Sequence, residues 1–329
     1  MKAIVYTKYG PPNVLQIEEV KKPVPKDDEV LIRVRAAEVT KTDCEMRSFN
    51  FQVKWFLLPL RLMLGILRPR KRILGGYFSG EVEAVGKEVK RFNKGDSLFG
   101  STQLRLGAYG EFLTLPESFT LVRMPNNLTF AEAAAVPLGG LNALHFMRKA
   151  NIRMGEKVLI NGAGGSIGTF GVQIAKAMGA EVTAVDSGIK EAMLREIGAD
   201  HFIDYTRQDF SEAGQTYDVI FSMVAKTSFT KCINLLNSKG RYLIANPRIT
   251  DMLKSFMVSL FCDKQALFAF ARETEEELNT LREMIEQGKI GPTVDRVYSI
   301  EEAAEAHRHV ETEQRLGSIV ISFFRENRP

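Results

Sequence analysis

The sequence predicts an α/β protein of two domains, a doubly wound parallel sheet in the middle of the chain and a β-rich domain ahead of it. Three observations predict this. The chain has 329 residues, more than one ordinary core holds. From residue 157 to residue 245 short apolar runs alternate with helical patterns, the texture of a parallel sheet with helices on both faces. Before about residue 120 the runs are short and β-branched, and Pro and Gly separate them.

In the β-rich part, residues 2–6, 29–34, 79–85 and 111–115 read as strands of a partly open barrel. The pattern changes near Pro125. Thr129 is a candidate N-cap, and Glu132 three residues later completes a capping box. Helices follow at residues 129–135 and 141–150. Strands at 157–161, 181–186, 201–203, 217–222 and 241–245 then alternate with helices at 166–178 and 189–197, and with a helix that ends at Gly240. Residues 296–298, a helix at 300–311 and a strand at 317–323 close the chain. A lone final strand has nothing to pair with, so it is expected to return to the first domain. The expected domains are residues 1–124 completed by 290–329, and residues 125–289.

The most informative segment is the turn from Gly162 to Gly168, between a strand and a helix. Gly162 permits the tight turn, Gly164 and Gly165 let a pyrophosphate approach the backbone, and Gly168 lets the helix pack on its strand. Free N–H groups near Ser166 and Ile167 and the helix dipole then hold phosphates. Asp186 ends the next strand about 20 residues on, where an acidic side chain can accept from a ribose. That constellation predicts a nicotinamide dinucleotide site; the bland alternative is a glycine-rich loop that binds nothing. A carboxylate at Asp186 favours NADH, whereas Lys190 and Arg195 can answer the 2′-phosphate of NADPH.

Composition limits the remaining classes. A net charge of +4 gives no reason to expect nucleic acid. Three scattered cysteines read as free thiols in a reducing compartment, and no signal-peptide pattern opens the chain, so a cytoplasmic location is expected. From Met46 to Gly80 there is no Asp or Glu but seven bases, and residues 55–67 are mainly apolar. Residues 49–72 therefore read as a helix packed on its own domain, a hydrophobic substrate mouth, or an interfacial membrane contact; of these the membrane contact is the least expected.

Several motifs resemble the medium-chain dehydrogenase/reductase superfamily in its zinc-free quinone oxidoreductase branch. They are KAIVY at 2–6, VTKTD at 39–43, GGYFSG at 75–80, FNKGD at 92–96, GAYGE at 107–111, AAAVP at 133–137, NGAGGSIG at 161–168 and IGADHFIDY at 197–205. The resemblance implies a GroES-like domain and a Rossmann domain with the site between them. It implies reduction of a quinone or of the C=C bond of an enone, usually with NADPH, by a homodimer or homotetramer. Zinc enzymes of the superfamily have Cys at Thr40 and His at Gly76, so no metal is expected.

By the same resemblance, Gly162, Gly164, Gly165, Ser166, Ile167 and Gly168 hold the pyrophosphate. Asp186, Ser187 and Lys190 approach the adenosine ribose. Tyr205 covers the adenine or simply packs on its strand. Val224, Ala245, Asn246, Pro247 and Asn142 approach the nicotinamide. Thr40 would donate a hydrogen bond to the substrate oxygen, and Tyr77 would donate a proton or line the pocket. Thr40, Tyr77, Asn142, Ser222 and Ala225 depart from the usual residues of the branch. They keep two other functions in view: a cofactor-binding redox sensor with little turnover, and alcohol–carbonyl interconversion.

Overall fold

The computed structural model describes residues 1–51, 57–269 and 272–324. Trp55 and Phe56, part of the apolar basic segment, lie outside the described residues.

The N-terminal part begins with an antiparallel ribbon, β1 (Lys2–Val5) with β2 (Gln16–Glu19). The long strand β3 (Glu29–Val39) leads into α1 (Lys41–Ser48) and α2 (Leu57–Leu64). Then come β4 (Tyr77–Val85), β5 (Ser97–Ser101), β6 (Phe112–Pro116) and β7 (Leu121–Arg123). β3 exceeds the expected 29–34 because its apolar and small residues stay buried as far as Val39. Its second half turns the chain toward the other domain and delivers Glu38 and Thr40.

The second part opens with α3 (Phe130–Ala134), capped by Thr129 and Glu132 as the sequence predicts, and α4 (Val136–Ala150), which carries Pro137 in its first turn. β8 (Lys157–Asn161), α5 (Ser166–Ala177), β9 (Glu181–Asp186), α6 (Glu191–Glu196) and β10 (His201–Asp204) follow. β11 (Tyr217–Ser222), α7 (Phe229–Leu235), β12 (Leu236–Ile244), α8 (Ile249–Phe261) and β13 (Gln265–Phe268) complete a six-stranded parallel sheet. Its order, β10-β9-β8-β11-β12-β13, reverses direction between β8 and β11. That reversal opens a crevice at the strand ends, where doubly wound sheets bind ligands. The helix expected to end at Gly240 ends at Leu235 instead. Residues 237–240 form a bulge, with Lys239 at φ 58° and a register shift of β12 against β11.

After α9 (Glu275–Glu286) the chain returns through β14 (Val294–Ser299), α10 (Ala303–Glu311) and β15 (Ser318–Ser322). β15 pairs antiparallel with β3 across four residues, so the C-terminal strand lies in the first sheet. One large core fills the barrel and two others cover the faces of the parallel sheet.

Candidate active site

The turn after β8 has the geometry its glycines imply. Gly162 has φ +89°, which L side chains rarely adopt. A Cβ on Gly168 would stand 2.4 Å from the carbonyl oxygens of both Gly162 and Ala163. α5 thus starts hard against the turn, with its first N–H groups facing the crevice. Arg315, between α10 and β15, reaches the open side of Gly165. It has no carboxylate partner within ion-pair distance among the described residues.

At the far end of this crevice Asp186 is buried, and each of its oxygens has a partner. Oδ2 accepts from the Gly164 N–H at 2.7 Å, and Oδ1 accepts from the Ser187 N–H at 2.8 Å. The Lys190 ammonium lies 3.0 Å from Oδ1, and both side chains are largely shielded from solvent. Asp186 is therefore one half of a neutralised pair.

From this pair a cavity of about 1230 Å³ runs past Gly162, Gly165, Ser166, Ile167 and Gly168 to the other domain. Tyr205 lines it on one side; Val224, Ala245, Asn246 and Pro247 line it on another. Its other end is apolar, bounded by Met46, Phe51, Leu60, Met63, Leu64, Leu104 and Leu106. Residues 57–64 thus form a helix that packs on its own domain through Leu57 and Leu60 and also walls the cavity. The wall includes the exposed Thr42, whose hydroxyl has no partner among the described residues.

Five expected site residues do not line this cavity. Thr40 is buried as the N-cap of α1: its hydroxyl donates to Asp43 Oδ2 at 2.6 Å and accepts from the Asp43 N–H at 3.0 Å. Its donor is spent before a substrate arrives. The Tyr77 phenol donates to Glu273 Oε1 at 2.6 Å, and burial, then the Glu273 charge, push it well above its usual range. Ser101 also donates to the Glu273 carboxylate, and Thr120 donates to the Glu273 carbonyl. Tyr77 belongs to this clamp. The Asn142 amide donates to the Leu138 carbonyl one turn back on α4. Gly164 gives its N–H to Asp186 and its carbonyl to the Gly317 N–H, and Ser187 stands beyond the Asp186 carboxylate.

Sequence reasoning missed Thr42, Arg315 and Glu38. Thr42 lies two residues from Thr40 inside the same motif, and only the capping geometry decides which hydroxyl is free. Arg315 is about 150 residues from the turn it stands over, and no local pattern marks it.

The comparisons with known proteins agree with this architecture. The model described as "Alcohol dehydrogenase GroES-like domain" matches residues 26–126, and the one described as "Zinc-binding dehydrogenase" matches residues 197–321. A quinone oxidoreductase of Sus scrofa is 32% identical, over 94% of this chain and 94% of its own. The chain belongs to the medium-chain dehydrogenase/reductase superfamily, in its quinone oxidoreductase branch. A chloroplastic NADPH-dependent alkenal/one oxidoreductase of Arabidopsis thaliana is 28% identical, over 98% of this chain and 79% of its own. The solved quinone oxidoreductase of Coxiella burnetii superposes with a TM-score of 0.87 at 27% identity, covering 98% of this chain and 99% of that one.

One matched family description names zinc, and this quinone oxidoreductase-branch chain does not fit it at the positions where the superfamily's catalytic metal is held. Thr40 is spent on Asp43, Gly76 has no side chain, and the described residues contain no group of three or more His, Cys, Asp or Glu able to hold an ion. His307 is buried, with Nδ1 3.3 Å from the Cys44 sulfur, and burial lowers its pKa to about 3. His309 faces Tyr298 and Asp295 instead. The dinucleotide does fit: the cradle at Gly165 is open, Arg315 stands over it, and the cavity is large enough.

In this branch fold the two domains meet under the turn. Glu38 at the end of β3 accepts from Ser166 Oγ at 2.6 Å and from Ser318 Oγ at 2.8 Å, while its Oε2 is buried without a partner. Burial raises its carboxyl from the ordinary 4.5 to about 7, against the lowering effect of the two serines and Arg315. The folded protein therefore holds this proton more tightly than the unfolded chain does. The contribution to stability is full below pH 4.5 and is lost as pH rises through about 7. The expected outcome for Glu38→Gln is a melting temperature less dependent on pH across that window than the wild type's. Parallel slopes in differential scanning calorimetry would remove Glu38 as the cause.

Proposed function

We propose that this protein is an NAD(P)H-dependent reductase of quinones or of the C=C bond of enones. One observation carries the reading: a single cavity joins a phosphate cradle at Gly165 to an apolar chamber beside a free hydroxyl on Thr42. Quinone oxidoreductase and alkenal/one oxidoreductase are the names of relatives in this branch, and a hydrophobic carbonyl compound matches the apolar end.

When bound, the reduced nicotinamide supplies a hydride. The protein's part is to orient and to stabilise. Arg315 and the N–H groups at the start of α5 hold the pyrophosphate. Leu60, Met63 and Leu106 exclude water and hold a flat apolar substrate. Hydride arrival at the substrate leaves negative charge on its carbonyl oxygen, and a donor already in place there lowers the barrier. Thr42, rather than Thr40, is assigned that donation, because its hydroxyl is free. A solvent proton then completes the two-electron reduction. Tyr77 is assigned to the Glu273 clamp and not to proton transfer.

The experiment is steady-state oxidation of NADPH and NADH against a panel of quinones, enones and aldehydes. Thr42→Val should lower kcat by on the order of a hundredfold with cofactor Kd little changed. Thr40→Val should mainly lower stability, by about 1 kcal/mol for a lost N-cap. Binding without turnover across the panel would favour a redox-sensing role instead, and a rate loss in Thr40→Val alone would reverse the two assignments.

For the cofactor, the reading is NADPH. Asp186 is neutralised by Lys190 and repels a 2′-phosphate weakly, while Lys190 offers that phosphate a cation. Lys190→Ala should raise KM for NADPH relative to NADH by at least about tenfold, as expected for one lost charge-assisted hydrogen bond. A wild type that prefers NADH would overturn this.

The assembly is read as a homodimer. Among the described residues β13 is an edge strand with one edge of its backbone unpaired, and alongside it α8 exposes Leu253, Phe256, Met257, Leu260 and Phe261 on one side. A two-fold axis beside β13 would pair the edge with its own copy and cover that apolar face. Light scattering should give twice the 36.9 kDa chain mass and the single mass for Leu253→Glu/Phe256→Glu; a dimeric double variant would exclude this interface.

A further inference from the structure

We infer that the surface around the apolar mouth of the cleft docks on an anionic lipid bilayer. The docking stands apart from the reading of the cleft as a reductase site; only the benefit to a membrane-dissolved substrate rests on that reading.

α2 is two-sided. Leu60 and Leu64 face the cleft, while Leu58 and Leu62 face outward, with Leu58 74% exposed. The chain after α2 continues the outward surface with Ile66 and Leu67, the latter 87% exposed. This turn is firmly held: the Tyr9 phenol donates to the Gly65 carbonyl at 2.8 Å, and the Arg70 N–H donates to the Leu64 carbonyl at 2.8 Å. Leu104, 75% exposed, stands across the same cleft mouth. The segment beyond the turn is joined to that side by the Lys71 ammonium, which donates to the Arg105 carbonyl at 3.1 Å. The apolar residues are thus displayed by a fixed backbone around an opening.

The unpaired charge beside them is positive. Arg61 is spent against the Tyr9 and Phe49 rings, and Arg72 is paired with Glu18. Arg68, Arg70 and Lys71 are exposed and have no ion-pair partner among the described residues. No acidic residue occurs in the sequence between Met46 and Gly80. Exposed leucines flanked by unpaired bases match the two layers of an anionic membrane surface, acyl chains beneath phosphates. The contact least expected from the sequence is thus supported by the outward face of a helix whose inner face packs on its own domain and walls the cavity.

The test is sedimentation of the full chain with vesicles of phosphatidylcholine alone or with added phosphatidylserine, at low and high salt. The protein should pellet with the anionic vesicles and be released in large part, but not wholly, by salt. Arg68→Gln/Arg70→Gln should weaken binding about 25-fold, from about fivefold for each cation lost. Ile66→Ser/Leu67→Ser should weaken it as well and abolish what remains at high salt. Neither pair lines the cleft, so turnover of a water-soluble quinone should stay at the wild-type rate and report independently on the enzyme reading. No pelleting with anionic vesicles, or equal pelleting by Arg68→Gln/Arg70→Gln, would overturn the proposal. So would a self-associated species that dissociates in Ile66→Ser/Leu67→Ser, since a second copy would then cover this face.

Discussion

A carboxyl group shut away from water holds the two sheets together beneath the phosphate turn. Glu38 comes from the barrel strand β3, Ser166 from the first turn of α5, and Ser318 from the returning strand β15. The Ser318 and Ser166 hydroxyl oxygens lie 3.0 Å apart, and the Gly317 N–H donates to the Gly164 carbonyl at 3.0 Å. Three segments far apart in the chain thus converge on the glycine turn proposed to cradle the pyrophosphate. The cleft inherits its width from this joint, because the domain carrying α1 and α2 cannot shift without disturbing the turn. Glu273, clamped by Tyr77, Ser101 and Thr120, supplies a second tie on the other side.

The cavity between these ties is divided by charge. Its acids are largely paired: Asp186 with Lys190, Asp209 with Lys231, and Glu313 with Lys41. Among the cavity-lining bases, Lys226 and Arg315 have no such partner among the described residues. An anionic dinucleotide therefore meets unmatched positive charge along one half and aliphatic side chains along the other. In the proposed reaction such a division would keep water away from the reacting carbon and leave the Thr42 hydroxyl to meet the charge that forms on oxygen.

How far the sequence alone reaches depends on whether the signal is local. The glycine turn, its flanking strand and helix, Asp186 and the Thr129 capping box are written in consecutive residues, and each is where the pattern puts it. The chemistry at α1 was harder to read. VTKTD contains two threonines, and a capping box uses one of them; which hydroxyl is left free is a matter of helix phase. Tyr77 reads two ways from sequence because a phenol beside a cleft suits catalysis as well as packing, and its partner Glu273 lies 196 residues away. Arg315 and Glu38 were invisible for the same reason, since they act across the sheet return. Gly240 read as a helix stop because bulges and helix ends favour the same residue.

The central claim is that this cleft transfers hydride from a dinucleotide to a carbonyl-conjugated substrate. It is tested most directly by single-turnover reduction of an enone with dinucleotide carrying deuterium at the transferring position of C4, followed by mass analysis of the product. The account predicts one deuterium on the carbon β to the carbonyl and a solvent proton on the α carbon. Reduced product without that label, or dinucleotide that binds at Gly165 and stays unoxidised with every quinone and enone offered, would contradict it.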